Sequence, residues 1–150
     1  KVSIAEARLR GFKRALKQHN LPFHEELVVE SSFHEVGGYE AMNRLFDLPE
    51  DRRPRAVVAI NDPAAFGAMK SIEEHGLRIP KDIAIVGFSD DIRSELMPTA
   101  LTTVRQHAYE VGKRAAQQLC AQIEGTSSGA DQVIIIKTEQ VIRRSCGCNV

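Results

Sequence analysis

The chain has 150 residues, one domain's worth of sequence and rarely enough for two independent cores. Its 43% hydrophobic and 27% charged content is that of a soluble globular fold and excludes a disordered or collagen-like chain, and no apolar run approaches the ~20 residues that span a bilayer. Twenty Lys and Arg offset twenty Asp and Glu, so no overall field draws the chain onto nucleic acid or an anionic membrane, and any such contact needs a local patch or another domain.

In chain order, Ile4, Ala5, Leu9, Phe12, Ala15 and Leu16 fall on one helical stripe that ends at Asn20-Leu21-Pro22. Glu26–Glu30 holds Leu27-Val28-Val29 and reads as a short strand. A helix follows at about Val36–Leu48 with Met42, Leu45 and Phe46 inward, then a loop at Pro49–Pro54 and a strand at Arg55–Ile60, apolar on both faces as in a parallel sheet. Asp62-Pro63 starts the next helix, with Asp62 as cap and Pro63 in the first turn; Phe66, Met69 and Ile72 line it, and Gly76 suits a left-handed stop.

Ile83–Gly87 is a second parallel-type strand. A loop at Phe88–Ala100 and a β-prone run at Leu101–Arg105 follow. Val111, Ala115, Leu119 and Ile123 mark a last helix, Gly125–Ala130 is a polar loop, and Val133–Ile136 and Val141–Ile142 are strand-like. Alternating strands and helices call for an α/β fold, a parallel sheet with helices on both faces joined by right-handed crossovers. The chain opens on a helix where such a unit begins with a strand, which reads as part of a larger protein; the opening residues do not read as a secretory signal.

In an open α/β sheet, ligands sit beyond the carboxyl ends of the strands. That selects Ser31-Ser32-Phe33, Asn61-Asp62 and Phe88-Ser89-Asp90-Asp91, with Arg8 near the start of the first helix opening onto the same edge. A cation, an aromatic ring, an amide, a hydroxyl and carboxylates suit a small polyhydroxylated or heterocyclic ligand. Each has a structural reading beside it: Asp62 as helix cap, Phe33 as loop anchor, Asp90-Asp91 as solvated turn, Arg8 as partner of a nearby carboxylate. Convergence, rather than any single residue, carries the site.

Enzyme and cofactor motifs are missing. There is no G-x-G-x-x-G and no Gly-Lys-Ser/Thr phosphate loop, and neither His24 nor His34 has a second His one helical turn on, so no catalytic residue, metal or cofactor is expected. Ser89 lacks the second glycine of a nucleophile elbow. Three cysteines cannot all pair; Cys120 lies in a helical pattern and Cys146 and Cys148 are too close to staple a long loop, which favours reduced thiols and a cytoplasmic setting. Cys146-Gly147-Cys148 is a weak match to metal-ligand spacings.

Several of these segments resemble one family at matching spacings. Arg8-Leu9-Arg10-Gly11-Phe12 through Ala15-Leu16 is similar to the "R-x-x-G-F-x-x-A-L" helix of the lactose/galactose-repressor (LacI/GalR) regulators. Phe33 with Gly38-Tyr39-Glu40-Ala41-Met42 resembles their "F-x-x-x-x-G-Y-x-A-M", and Asn61-Asp62 with Ala65, Gly67 and Ala68 their "N-D-x-x-A-x-G-A". Gly76-Leu77 to Phe88, Leu101-Thr102-Thr103-Val104-Arg105-Gln106 and Arg143-Arg144-Ser145-Cys146-Gly147 complete a resemblance that covers nearly the whole chain.

The resemblance implies the C-terminal lobe of a type I periplasmic-binding-protein-like effector domain, with the helix at about 108–125 crossing to a second lobe that this chain lacks. It implies that effector reaches Arg8, Phe33, Asn61 and Asp62. The family carries Asp directly after its "G-F"; here Ser89 stands there, followed by Asp90, so either a neighbouring Asp takes the ligand hydroxyls or the effector differs. It further implies a homodimer through Phe66, Met69, Lys70, Leu96 and Met97, and operator DNA bound by a head that is not in this chain. The expected partner is a sugar, nucleoside or purine effector in the cytoplasm, with no membrane involved. Two alternatives share the fold: a sensor fused to a diguanylate cyclase or kinase, suggested by Arg144-Ser145-Cys146-Gly147-Cys148, and a transport solute-binding protein.

Overall fold

The computed structural model describes residues 3–126 and 133–148. Four long helices arise where the apolar spacing predicts them: α1 over Ser3–Gln18, α2 over Glu35–Phe46, α3 over Asp62–Glu74 and α5 over Ala108–Ile123. A single-turn helix, α4 at Arg93–Leu96, interrupts the segment read as loop. Pro63 occupies the first turn of α3 as expected, but the cap moves by one residue. Asn61 is the N-cap, its side-chain oxygen accepting from the Ala64 N–H at 3.0 Å, which frees Asp62 for another task. Gly76 (φ +72°) turns the chain left-handed just past α3, where a side chain would be penalised.

The strands are short. β1 (Ala56–Val58) lies parallel to β2 (Ala84–Val86), with Val57 opposite Ile85. β3 (Thr103–Arg105) pairs antiparallel with β4 (Glu139–Val141). Parallel bridges Val86–Thr102 and Ser89–Arg105 link the two ladders, and the Gly87 and Ser89 N–H groups donate to the Thr102 and Val104 carbonyls at 2.9 Å each. The centre is therefore parallel, as the sequence predicts, while β4 enters in the opposite sense.

Two runs read as strands form no ladder. Within Glu26–Glu30, a 3-10 turn at Glu25–Leu27 is closed by the Val28 N–H donating to Glu25 O at 3.0 Å, so a donor that a strand would send sideways is used locally. Val133–Ile136 joins no ladder among the described residues, and Val133, Ile134 and Ile135 are exposed. From residue 127 on, the loop read at Gly125–Ala130 lies outside the described residues.

Met42, Leu45 and Phe46 of α2 pack against Phe66, Met69 and Ile72 of α3, and both helices cover Ile83, Ile85 and Leu101. The α2–α3 approach depends on missing side chains: a Cβ on Gly38 would fall on the Ala64 carbonyl, and one on Gly67 on the Glu35 carbonyl. The residues expected to serve self-association divide between this core and the surface. Met69 is wholly buried and Phe66 nearly so, Met97 packs partly against the same core, and Lys70 and Leu96 are exposed.

The sheet is covered unevenly. Val57 and Ala59 face the core, whereas Val58 between them is exposed, so helices do not cover both faces of β1. No residue of α5 is buried, and its apolar stripe of Val111, Leu119 and Ile123 faces outward.

Candidate functional site

The carboxyl ends of β1 and β2 lie side by side, joined by the Asp62 N–H donating to Phe88 O at 3.0 Å. Arg8 reaches this edge from α1. Its guanidinium lies 3.8 Å from the centre of the Phe88 ring and donates to the Ile60 carbonyl at the end of the β1 segment. Burial lowers the Arg8 pKa without removing its charge.

Asn61 serves two neighbours at once. Its oxygen caps α3, and its Nδ2 donates to the Phe33 carbonyl at 2.8 Å, which ties the loop before α2 to the strand edge. Phe33 itself remains 38% exposed.

Ser89 (φ +126°) and Asp90 (φ +56°) hold consecutive positive dihedrals without being glycine. Such conformations cost about 1–3 kcal/mol each and persist only where the surroundings over-determine them. Here the surroundings are explicit. Ser89 N–H donates to Val104 O at 2.9 Å, Asp90 N–H to Thr103 Oγ1 at 3.3 Å, and the Asp90 carboxylate accepts from Arg105 Nε at 2.6 Å and Arg143 Nη2 at 2.8 Å. Burial pushes the Asp90 carboxyl upward, but the two guanidiniums outweigh it and hold its pKa below the ordinary value.

Asp62 does not present its carboxylate to the edge. It is wholly buried, accepting from Thr103 Oγ1 at 2.6 Å through Oδ1 and from Ser94 Oγ and Asp91 N–H at 2.8 Å each through Oδ2. Gly87 makes room for it, since a Cβ there would fall on Oδ1. Asp91 in turn takes a two-pronged bond from Arg93, with Nε and Nη2 at 3.1 and 2.9 Å, and Arg93 Nη1 reaches Glu35 at 2.6 Å. The Arg93 bonds hold the Asp91 carboxyl below its ordinary range.

The structure thus brings Arg8, Phe33, Asn61, Ser89 and Asp90 to one edge and sets Asp62 underneath as its support. Sequence reasoning gave no site role to Ser94, Arg105 or Arg143. Thr103 and Arg143 stand inside quoted motifs, but their partners lie 41 and 53 residues away in sequence, a pairing only the fold reveals. No group of three or more His, Cys, Asp or Glu among the described residues is placed to hold a metal. The small-residue face of α5 at Ala108, Gly112, Ala116 and Cys120 stands open and includes none of these edge residues. No helix among the described residues is long and apolar enough to cross a membrane.

Residues 1–146 match the model of the periplasmic binding protein-like domain. The chain is 35% identical over 145 residues to the HTH-type transcriptional repressor PurR of Haemophilus influenzae, covering 95% of the chain and 43% of that protein. It superposes on a LacI-family regulatory protein of Chloroflexus aggregans with a TM-score of 0.84 at 32% identity, covering 92% of this chain and 49% of that one. A LacI-family regulator of Enterococcus faecium with bound ribose gives 0.82 at 29% identity, covering 93% and 50%. The chain therefore spans about half the length of the proteins it matches.

Proposed function

The chain belongs to the periplasmic binding protein-like domain family, its homologues are LacI-family transcriptional regulators, and on that premise we propose that it forms the C-terminal lobe of an effector-binding domain in such a regulator. The observation that carries the reading is the convergence of Arg8, Phe33, Asn61, Ser89 and Asp90 at one strand edge, held by a buried network that spends several charged groups on positioning them. Arg8 supplies a forked donor, Phe33 a stacking face, and Ser89 and Asp90 hydroxyl and carboxylate oxygens. Asp62 acts through them, as the bond that fixes the Phe88–Asp91 turn.

The uncovered surfaces fit a lobe that lacks its partner. α5 carries an apolar stripe that nothing among the described residues buries, and Val58 opens one face of β1; in this reading a second lobe covers α5, and the effector lies between the lobes. Binding then shifts the balance between two lobe arrangements, and a dimer passes that shift to a DNA-binding head. Lys70 and Leu96 are the exposed members of the expected dimer surface, and Ile92 extends the apolar patch beside Leu96. The relatives are repressors rather than enzymes, and we assign no catalytic step, cofactor or membrane contact; a cytoplasmic setting follows from the same reading.

A purine or a ribose-containing effector is the class favoured by the relatives' names and by the stacking ring beside polar groups. A thermal-shift screen of the intact protein against purines, nucleosides, sugars and sugar phosphates tests this. A ligand at a hundred times its Kd adds ~2.7 kcal/mol, a readable shift that Arg8→Ala should abolish. No shift with any of the four classes would remove the small-molecule role.

A further inference from the structure

Two of the three cysteines stand one residue apart at the end of the chain, and the effector reading uses neither. The segment that carries them is anchored at Ser145, which is wholly buried. Ser145 Oγ donates to Ile85 O at 2.6 Å and accepts from the Thr102 N–H at 2.8 Å, while its carbonyl accepts from the Ile85 N–H at 2.9 Å. Directly past this anchor the chain turns back through Gly147 at φ +73°, a conformation that glycine adopts without steric penalty.

The turn brings the two cysteines onto each other. The Cys148 N–H points at Cys146 Sγ from 3.4 Å, and Cys148 Sγ lies 4.0 Å from the Cys146 carbonyl. Their settings differ. Cys146 is half-buried, its Sγ 3.8 Å from the Arg143 carbonyl, whereas Cys148 is exposed to any small reagent. Burial pushes the Cys146 thiol up, yet bonds from the Thr102 hydroxyl and from Cys148 outweigh this and favour its thiolate; Cys148, facing that sulfur, is held above the ordinary thiol range.

We propose that Cys146-Gly147-Cys148 is a redox-active dithiol that closes reversibly to a disulfide, with Cys146 as the nucleophile and Cys148 as the resolving thiol. The oxidant is a low-molecular-weight disulfide. The Cys146 thiolate attacks one of its sulfurs, the S–S bond of the reagent breaks, and one small thiolate leaves, with Cys146 held in a mixed disulfide. Cys148 gives its proton to water and attacks the Cys146 sulfur. The second small thiolate leaves as the Cys146–Cys148 bond forms. The two cysteines lose two electrons and two protons, and the reagent takes them up as two thiols. A ring closed over one residue gains little from loop entropy, so the bond stays open to reduction and suits a reversible device rather than a structural staple.

The test treats the intact protein with glutathione disulfide, quenches in acid, alkylates free thiols with iodoacetamide and maps the peptides by mass spectrometry. The peptide carrying Cys146 and Cys148 should lose both alkylation sites and regain them after dithiothreitol, while Cys120, which has no cysteine beside it to resolve a mixed disulfide, can carry at most a glutathione adduct. Cys148→Ser should trap glutathione on Cys146, and Cys146→Ser should accumulate far less adduct. A peptide that stays doubly alkylated after oxidation overturns the proposal, and that wild-type map does not depend on either variant folding. Equal glutathione adducts on the two variants overturn the division of roles. Effector binding plays no part in this readout, so the outcome is separate from the sensor reading.

Discussion

Thr103 donates its hydroxyl to Oδ1 of Asp62 across 2.6 Å, and both residues are buried where the start of α3 meets β3. Forty-one residues separate them in sequence. Their bond, with those from Ser94 and Asp91, ties the start of α3 to the Phe88–Asp91 turn and to β3 at a single carboxylate.

Asp62→Ala should accordingly be among the most damaging changes in the chain. It leaves two hydroxyls and one N–H without their acceptor, and at roughly 1–3 kcal/mol for each buried unsatisfied group the expected loss is about 3 kcal/mol or more. Thr103→Val removes two bonds, the one to Asp62 and the weaker one from the Asp90 N–H, and should cost about 2 kcal/mol. Urea unfolding midpoints check both; equal, small losses would show that Asp62 is not the hub.

Asn61 separates capping from binding. Asn61→Ala loses the cap of α3 and should cost about 1 kcal/mol, whereas Asn61→Ser keeps a capping oxygen and nearly all of the stability. Both variants lose the donor to the Phe33 carbonyl. Effector affinity should fall in both by a similar factor while unfolding curves tell them apart; normal affinity in Asn61→Ser would take the Phe33 tether out of the site.

Two glycines should respond in opposite directions to alanine. Gly38→Ala places a carbon on the Ala64 carbonyl and forces α2 and α3 apart, an overpacking cost of about 1–3 kcal/mol. Gly11, inside α1 with nothing within 4 Å of its would-be Cβ, should gain stability by about 0.5–1 kcal/mol on the same change. Thermal denaturation of the two variants measures this directly.

The acid limb of stability should depend on Asp90. Its folded pKa lies below the ordinary 3.8, so the charged carboxylate favours the fold. That contribution is fully present above the unfolded value and is lost as pH falls through the folded one. Asp90→Asn should therefore be less stable than wild type at neutral pH and show a shallower loss below about pH 4. A residual slope will remain, because Asp91 and Asp82 are depressed in the same direction by Arg93 and Arg78. Parallel curves for the two proteins in acid would mean that Arg105 and Arg143 do not hold Asp90 in solution.

Leu96 and Phe66 distinguish surface from core. Leu96 is 78% exposed, and Leu96→Asp should weaken self-association of the intact protein with a change in fold stability within about 0.5 kcal/mol. Phe66→Ala should instead cost about 3–5 kcal/mol of stability, since its ring is packed within the chain. Sedimentation equilibrium of Leu96→Asp checks the first, and an unchanged dimer constant removes this surface from the interface.

Helices were legible because their information is local. Apolar spacing marks the buried stripe of α2 and α3, Pro63 marks the first turn, and Gly76 marks a stop, each acting within a few residues. The strand-edge rule placed Asn61 and the Phe88–Asp91 turn at the ends of β1 and β2 without any coordinates, whereas Phe33 was read from a strand that does not form and reaches the edge through its carbonyl bond to Asn61. What failed was whatever depends on a neighbour across space. Val28 and Val133 are as β-prone as Val57, but only β1 has a strand beside it to receive its hydrogen bonds. Asp62 sits one place from the cap, and only the approach of Thr103 and Ser94 converts it from an edge carboxylate into a buried hub. Ser89 and Asp90 carry ordinary residue types for a loop; their left-handed backbone exists because Arg105, Arg143 and β3 hold it. Periodicity and turn chemistry act along the chain and are written in it. Pairing, burial and charge compensation act between segments, so tertiary structure alone decided which polar residues stay open at the strand edge and which are buried holding the others in place.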